Sequence, residues 1–157
     1  MVGYVADTSG LVGAWQRRYP PEVFPTLWDN LEVLAQAGEF LVPEEVHREL
    51  RVQSDELYRW IDERSEYLVV ETDRAVVVTA QAILADHPLL TKTGTGRGRA
   101  DPFVIALAEL RRLPLLTEEA GGSAAKPRIP YVCAQRGLGV VCMDMLGLIR
   151  SQGWSFR

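Results

Sequence analysis

Acidic residues fall in this sequence where strands are predicted to end and helices to begin. Asp7 ends the apolar run of residues 2–6 and is followed by Thr8 and Ser9, which indicates a strand that stops at the start of a helix. A carboxylate at the carboxyl end of a buried strand, beside a helix N-terminus, is well placed to hold a divalent cation. A metal site requires further carboxylates at the same place.

Three more acids lie around one later strand. Glu118 and Glu119 follow the predicted strand of residues 113–117, and Asp101 stands at the start of the helix that precedes this strand. We expect Asp101 to be the N-cap of that helix, with Pro102 in its first turn. In a parallel α/β sheet, ligands bind beyond the carboxyl ends of the strands, so all three acids can face one edge.

A fourth source of carboxylate is the helix after the short predicted strand of residues 40–42. Glu45 and Glu49 are one turn apart there, and either can point toward the same edge. Glu118 and Glu119 leave a similar choice open. Four carboxylates at one point do not all stay ionised unless a cation lies between them, and Mg²⁺ or Mn²⁺ is the natural ion for such a set of oxygen ligands.

Length and composition indicate one globular domain over residues 1–157. The chain has 47% apolar and 24% charged residues, which is ordinary for a folded domain of 157 residues. No apolar run is long enough to span a membrane and no secretion signal is visible, so we expect a cytoplasmic protein. Cys133 and Cys142 lie in apolar surroundings and are expected to be buried thiols.

The net charge of −4 conceals an uneven distribution of charged residues. Residues 1–87 carry seven Lys or Arg against 16 Asp or Glu, and residues 88–157 carry ten against five. This indicates an acidic site beside a basic rim, which suits a metal-dependent enzyme acting on a polyanion. A mixed, solvated surface would give the same counts.

Predicted strands and helices alternate along the whole chain. Hydrophobic periodicity and turn residues predict strands at 2–6, 40–42, 67–70, 113–117 and 140–142. They predict helices at 8–18, 22–37, 44–52, 55–65, 74–86, from 101 onward, 131–135 and 144–151. This alternation is typical of an α/β three-layer sandwich, in which helices cover both faces of a central, mostly parallel sheet.

Four short segments carry a resemblance to a known family. Residues 7–9, 48–50, 100–108 and 116–119, read as Asp-Thr-Ser, Arg-Glu-Leu, Ala-Asp-Pro-Phe-Val-Ile-Ala-Leu-Ala and Leu-Thr-Glu-Glu, resemble the four motifs of PIN domains. These are the nuclease domains typified by the VapC toxins of bacterial toxin–antitoxin pairs. Further segments at 42–50, 126–130 and 153–156 are similar to an uncharacterised PIN-like subgroup.

The resemblance implies roles for particular residues. Asp7, Glu49 and Asp101 match the family's acids, and Glu119 matches a fourth that is often Asp in the family; all four would be catalytic, with Asp7, Asp101 and Glu119 on the metal. Supporting roles would fall to Thr117, through a hydroxyl hydrogen bond, and to Thr8 or Ser9, which would position Asp7 or a metal-bound water. Two acids remain alternatives to the family positions: Glu45 and Glu118.

The resemblance also implies an activity and partners. The expected protein is an Mg²⁺- or Mn²⁺-dependent endoribonuclease that hydrolyses single-stranded RNA, is the toxin partner of a cognate antitoxin, and forms a homodimer. Basic residues near the site would bind flanking phosphates: Arg97, Arg99, Lys126 and Arg128.

Two other classes of function are compatible with the same residues. A non-catalytic PIN-like module would keep the acids for folding or for a basic partner, and a metal-dependent DNA nuclease or phosphatase would use the same carboxylates on another substrate. Taken singly, Asp7 and Asp101 are also ordinary helix caps, and the remaining acids are typical of a solvated helix face or a polar loop. The joint placement of four acids favours a site.

Overall fold

Short parallel strands alternate with helices along the chain. The computed structural model describes residues 3–91, 99–137 and 139–157. Within these ranges the strands are β1 (Tyr4–Ala6), β2 (Phe40–Pro43), β3 (Val69–Val70), β4 (Leu115–Leu116) and β5 (Cys142–Met143). They form one five-stranded sheet in the order β3-β2-β1-β4-β5, with every neighbouring pair parallel. The predicted α/β class is confirmed, and the sheet is wholly rather than mostly parallel.

Helices make every connection between successive strands. In the described part of the chain they are α1 (Thr8–Gly13), α2 (Pro25–Gln36), α3 (Glu44–Gln53), α4 (Asp55–Asp62), α5 (Ser65–Leu68), α6 (Arg74–Asp86), α7 (Asp101–Arg111), α8 (Ile129–Arg136) and α9 (Met145–Gln152). A π-helical turn, Ala14–Arg18, continues α1, and a 3₁₀ helix, Pro88–Thr91, follows α6. None of these helices is both long and apolar enough to cross a membrane.

The strand order places helices on both faces of the sheet. The chain moves outward from β1 to β2 and β3, then crosses back over β1 to β4 and β5. Because such crossovers are right-handed, the helices between β1 and β3 cover one face and those between β3 and β5 cover the other. Helix α7 packs across β1, β2 and β4, whereas α2 packs on β2. The central strand β1 is fully buried as a result.

The register of β1 against β4 brings two polar residues together at the sheet edge. Ala6 pairs with Leu116, and the backbone N–H of Asp7 donates to the Leu116 carbonyl at 2.8 Å. The next residue of each strand, Asp7 and Thr117, therefore leaves the sheet at the same level and on adjacent strands.

The predicted strand of residues 67–70 is helical over its first half. Residues 67–70 read as a strand in the sequence, but Tyr67 and Leu68 belong to α5 and only Val69 and Val70 pair with β2. The backbone N–H of Leu68 donates to the Arg64 carbonyl at 3.0 Å, and the Tyr67 hydroxyl donates to Glu32. These contacts hold the first two residues in a helical turn, although tyrosine is a residue type that is enriched in strands.

Both cysteines are free thiols in the structure, as expected. Cys133 is buried in α8, and Cys142 is half-buried in β5. The hydrogen bond with Cys142, together with burial, raises the pKa of the Cys133 thiol far above its usual value. A thiol in that state is a poor nucleophile, so Cys133 serves as part of the core.

Helix α1 lies so close to β4 that a side chain would not fit between them. A Cβ at Gly10 would lie 2.8 Å from the Leu116 carbonyl oxygen, which is backbone at the end of β4 and is held there by the N–H of Asp7. A Cβ at Gly13 in the same helix would meet only the end of the Glu118 side chain. The absence of a side chain at Gly10 thus allows α1 to pack directly on the end of β4.

We expect Gly10→Ala to lower the free energy of unfolding by about 1–3 kcal/mol, because α1 must move away from β4. Gly13→Ala is the matched control and should change the same free energy by less than about 1 kcal/mol, because the Glu118 side chain can move and Ala favours a helix. Urea unfolding followed by circular dichroism gives both values. Equal stabilities for the two variants would contradict this view of the α1–β4 contact.

Candidate functional site

Asp7 leaves β1 at the edge of the sheet and caps helix α1. Its side chain is only 2% exposed, and its carboxylate accepts from the backbone N–H of Ser9, two residues on, at 3.3 Å. Asp7 is therefore a helix cap, which is the simplest interpretation of its place in the sequence. The further contacts of the carboxylate go beyond a cap.

Two hydroxyl groups fix the orientation of the Asp7 carboxylate. Ser9 Oγ and Thr117 Oγ1 donate to Oδ2 at 2.6 and 2.9 Å. Each hydroxyl oxygen in turn accepts from a backbone N–H, Ser9 from Glu118 at 3.0 Å and Thr117 from Glu119 at 3.1 Å. All the hydrogen bonds that described residues donate to this carboxylate reach Oδ2, so Oδ1 is left for another ligand.

Asp101 is the first residue of α7 rather than its N-cap. The N-cap is Ala100, so the expectation that Asp101 caps this helix is wrong by one position. The side chain is only 6% exposed and lines the same cleft as Asp7. Burial of a carboxylate is unfavourable, and helix capping does not account for it at Asp101.

Burial and mutual repulsion raise the pKa of both aspartates. Burial is the largest cause for Asp101, whose pKa is raised well above its usual range, and Asp7, Glu119 and Glu49 add to it in that order. The pKa of Asp7 is raised to about 6, again mainly by burial, with the hydrogen bonds from Ser9 and Thr117 acting in the opposite direction. The charges of Glu49 and Glu119 thus act on both aspartates across this cleft, and that of Asp7 acts on Asp101.

Glu49 and Glu119 reach the cleft from α3 and from the end of β4. Glu49 Oε2 accepts from the backbone N–H of Ala100 at 3.1 Å, and Glu119 Oε2 accepts from that of Ile129 at 2.9 Å. Each carboxylate thus lies at the N-terminus of a helix, α7 or α8, where backbone N–H groups favour negative charge. These two contacts tie α3 to α7 and the end of β4 to α8.

The structure separates the two acids that the sequence left as alternatives. Glu118 turns away from the aspartates and forms ion pairs with Arg17 at 2.9 Å and Arg18 at 2.7 Å. Glu45 accepts a short hydrogen bond from the Thr72 hydroxyl, and its other oxygen, Oε1, is buried with no partner among the described residues. Both still line the cleft, but neither contributes to the raised pKa of the aspartates.

The cleft has a volume of about 1250 Å³ and mixes acids with arginines. Of the basic residues suggested by the sequence, Arg99 and Arg128 line it, Lys126 is exposed but does not line it, and Arg97 lies outside the described residues. Two arginines that the sequence reasoning did not single out also line it: Arg17 and Arg48. The sequence feature that could have indicated them is their position in the helical segments that follow the first two strands.

The donor set at the cleft fits Mg²⁺ or Mn²⁺, although it is not preassembled. Across the described ranges, no three His, Cys, Asp or Glu side chains already lie close enough to hold one ion, and Glu49 and Glu119 are turned toward backbone N–H groups instead. All the candidate ligands are oxygens, which these hard ions prefer. Thr8 Oγ1, buried in the lining of the cleft, has no partner among described residues. A bound polar group would satisfy this hydroxyl.

We expect Asp101→Asn to stabilise the metal-free protein at about pH 8. The raised pKa means that the folded chain binds this proton more tightly than the unfolded chain, so the wild-type protein loses stability as the pH rises above 3.8. Asparagine removes that loss, and in EDTA the midpoint of thermal unfolding should rise by at least about 2–4 °C.

The control is Asp144→Asn, which changes an exposed N-cap of α9 outside the cleft and should leave the midpoint within about 1 °C. Added Mn²⁺ should then stabilise the wild-type protein more than Asp101→Asn, because only the wild type keeps the full set of acids. A midpoint for Asp101→Asn at or below that of the wild type in EDTA would contradict the repulsion described above.

Comparison with known proteins identifies the family of this chain. A family model described as "Domain of unknown function (DUF4411)" matches residues 4–156. No curated protein matches the chain. Since the family model covers nearly the whole sequence, including all the acids of the cleft, the chain belongs to the DUF4411 family.

Proposed function

We propose that this protein is a divalent-metal-dependent endoribonuclease that hydrolyses phosphodiester bonds of single-stranded RNA. One observation carries the proposal: Asp7, Glu49, Asp101 and Glu119 line one cleft at the carboxyl edge of a parallel sheet, where burial and the repulsion between acids raise the pKa of both aspartates. Such a cluster is unfavourable without a cation and suited to binding one. Perturbed carboxyl groups in a cleft are typical of functional sites.

The resemblance to PIN domains supports the same proposal. The four segments that resemble the PIN motifs supply these four acids, and a sheet of five parallel strands between helices is compatible with a PIN-like fold. In this interpretation Glu119 and Glu49 occupy the family positions, because Glu118 and Glu45 are bound to Arg17 and Thr72 instead.

The residues of the cleft would have different roles in hydrolysis. A bound Mg²⁺ or Mn²⁺ would stabilise the negative charge that develops on the phosphate in the transition state. Asp7 and Asp101 would hold the ion, and Ser9 and Thr117 keep the Asp7 carboxylate in one orientation. A carboxylate of the same cluster can accept the proton of the attacking water, so no covalent nucleophile is required.

The walls of the cleft suit an unpaired polynucleotide. Arg99 and Arg128 are exposed at its rim and can contact phosphates. Apolar side chains also line it, among them Phe103 and the largely exposed Val52. Unstacked bases of a single strand bind well to such apolar and aromatic surfaces.

The resemblance to VapC proteins extends the proposal to a biological role. In that role the protein is the cytoplasmic toxin of a toxin–antitoxin pair, acts as a homodimer, and is held inactive by a cognate antitoxin. A non-catalytic PIN-like module is the second candidate, because the acids are not preassembled around one point in the described part of the chain. Calorimetric titration with Mn²⁺ distinguishes the two, since a module without a metal site should release no binding heat.

We expect Mn²⁺-dependent cleavage of a labelled single-stranded RNA, and no cleavage in EDTA. Asp7→Asn and Asp101→Asn should each lower the cleavage rate by at least about 100-fold, because each removes a ligand charge from the metal site. Asp144→Asn, an exposed aspartate that caps α9, is the matched control and should cleave at the wild-type rate. Gel separation of the products gives the rates.

Substrate comparison then tests the remaining alternatives. The proposal expects RNA to be cut faster than DNA of the same sequence and faster than a phosphate monoester. Faster cleavage of DNA or of the monoester would favour the DNA nuclease or the phosphatase on the same carboxylates. Cleavage by Asp7→Asn and Asp101→Asn at the wild-type rate would show that the assigned residues are not the active site.

A further inference from the structure

Two neighbouring arginines, of which Arg17 lines the cleft, share one nearly buried carboxylate. Arg17 Nη2 donates to Glu118 Oε2 at 2.9 Å, and Arg18 Nε donates to Glu118 Oε1 at 2.7 Å. The Glu118 side chain is only 11% exposed, whereas those of the arginines are 70% and 61% exposed. The carboxylate is thus part of the protein interior, and the two guanidinium groups that it holds face solvent.

The segment that carries the arginines is fixed from its other side as well. Both lie in the π-helical turn Ala14–Arg18, and such turns are frequent at functional sites. Trp15 of the same turn packs edge-on against Trp28, with ring centroids 4.8 Å apart. The indole N–H of Trp28 donates to the carbonyl of Tyr19, directly after the turn, at 2.8 Å. The backbone that carries the arginines is therefore anchored to the core on both sides.

Glu118 connects this arginine pair directly to the candidate active site. Its backbone N–H donates to Ser9 Oγ, which itself donates to the Asp7 carboxylate. Its carboxylate occupies the space that a side chain at Gly13 would fill, since a Cβ there would lie 2.2 Å from Glu118 Cδ. Glu118 and Ser9 thus link the arginines to Asp7 and determine how far the arginines lie from the acids.

The pair has the charge and the donors of a phosphate site. Two guanidinium groups and one carboxylate leave a net charge of +1, and each guanidinium has five N–H donors, of which Glu118 takes one from each. Guanidinium groups bind phosphate oxygens with well-directed, charge-assisted hydrogen bonds. Arg17 also lines the cleft that holds the acids, so a phosphate bound to it would lie beside the site of cleavage.

We propose that Arg17 and Arg18, positioned by Glu118, bind a backbone phosphate of a single-stranded polynucleotide next to the phosphodiester that is cut. This inference rests on the proposed nuclease function for the identity of the ligand. Its test is a binding measurement in EDTA, where metal-dependent cleavage does not occur, so the inference and the nuclease function are tested separately.

The first test compares the binding of a short fluorescent RNA to the wild type and to the Arg17→Gln/Arg18→Gln double variant by fluorescence anisotropy. The double variant should bind at least about 10-fold more weakly in 0.1 M salt, and its slope of log affinity against log salt concentration should be smaller by about 0.7, the value for one phosphate contact. Arg150→Gln, at an exposed arginine of α9 outside the cleft, should match the wild type in both.

The second test moves the arginines without changing any charge. Gly13→Ala should displace the Glu118 carboxylate from both guanidinium groups. Because the arginines are then no longer held in place, RNA binding should weaken by about 3–10-fold, while the slope of log affinity against log salt concentration should equal that of the wild type. Thermal unfolding midpoints close to the wild-type value establish that both variants are folded.

Three results would overturn the inference. They are no salt-dependent binding by the wild type, wild-type affinity in the folded double variant, and tighter binding by Gly13→Ala. Wild-type binding that depends on both arginines, together with no cleavage in Mn²⁺, would support the arginine site and refute the nuclease function.

Discussion

The burial of two aspartates at the edge of one sheet carries an unfavourable free energy, and the rest of the site is arranged around it. Folding removes Asp7 and Asp101 from water and brings Glu49 and Glu119 near them, so that repulsion adds to desolvation. The chain lowers this cost locally, with hydroxyl donors on one oxygen of Asp7 and helix N-termini on both glutamates. It does not remove the cost. A divalent cation between the acids would offset what remains, which links metal binding to the stability of the fold.

Much of this arrangement could be predicted from the sequence because it depends on the register of strands. Alternating apolar strands and helices indicate a parallel sheet, and such a sheet places the residues after its strands at one edge. Asp7 and Thr117 follow from that rule once β1 and β4 are neighbours. The same logic explains why short segments far apart in the chain could be assigned to one site before their contacts were known.

The remaining details depended on side-chain contacts that no local pattern encodes. Whether Glu118 or Glu119 faces the aspartates is decided by Arg17 and Arg18, about a hundred residues away in sequence. Thr72 decides the position of Glu45 in the same way. Adjacent acids look equivalent in a sequence, whereas in the structure one belongs to the acidic cluster and the other to a basic rim. Helix α7 also begins one residue earlier than the Asp-Pro pair suggests, because Ala100 is the N-cap.

The most direct measurement is anomalous diffraction from crystals grown with Mn²⁺. If the four acids share one ion, an anomalous peak will lie in the cleft within bonding distance of the Asp7 and Asp101 carboxylates, and Asp7 will bind through Oδ1, the oxygen that Ser9 and Thr117 leave open. Glu119 and Glu49 should turn toward that ion from Ile129 and Ala100. Crystals with full Mn²⁺ access and no peak at this position would contradict the metal-centred account of the cleft.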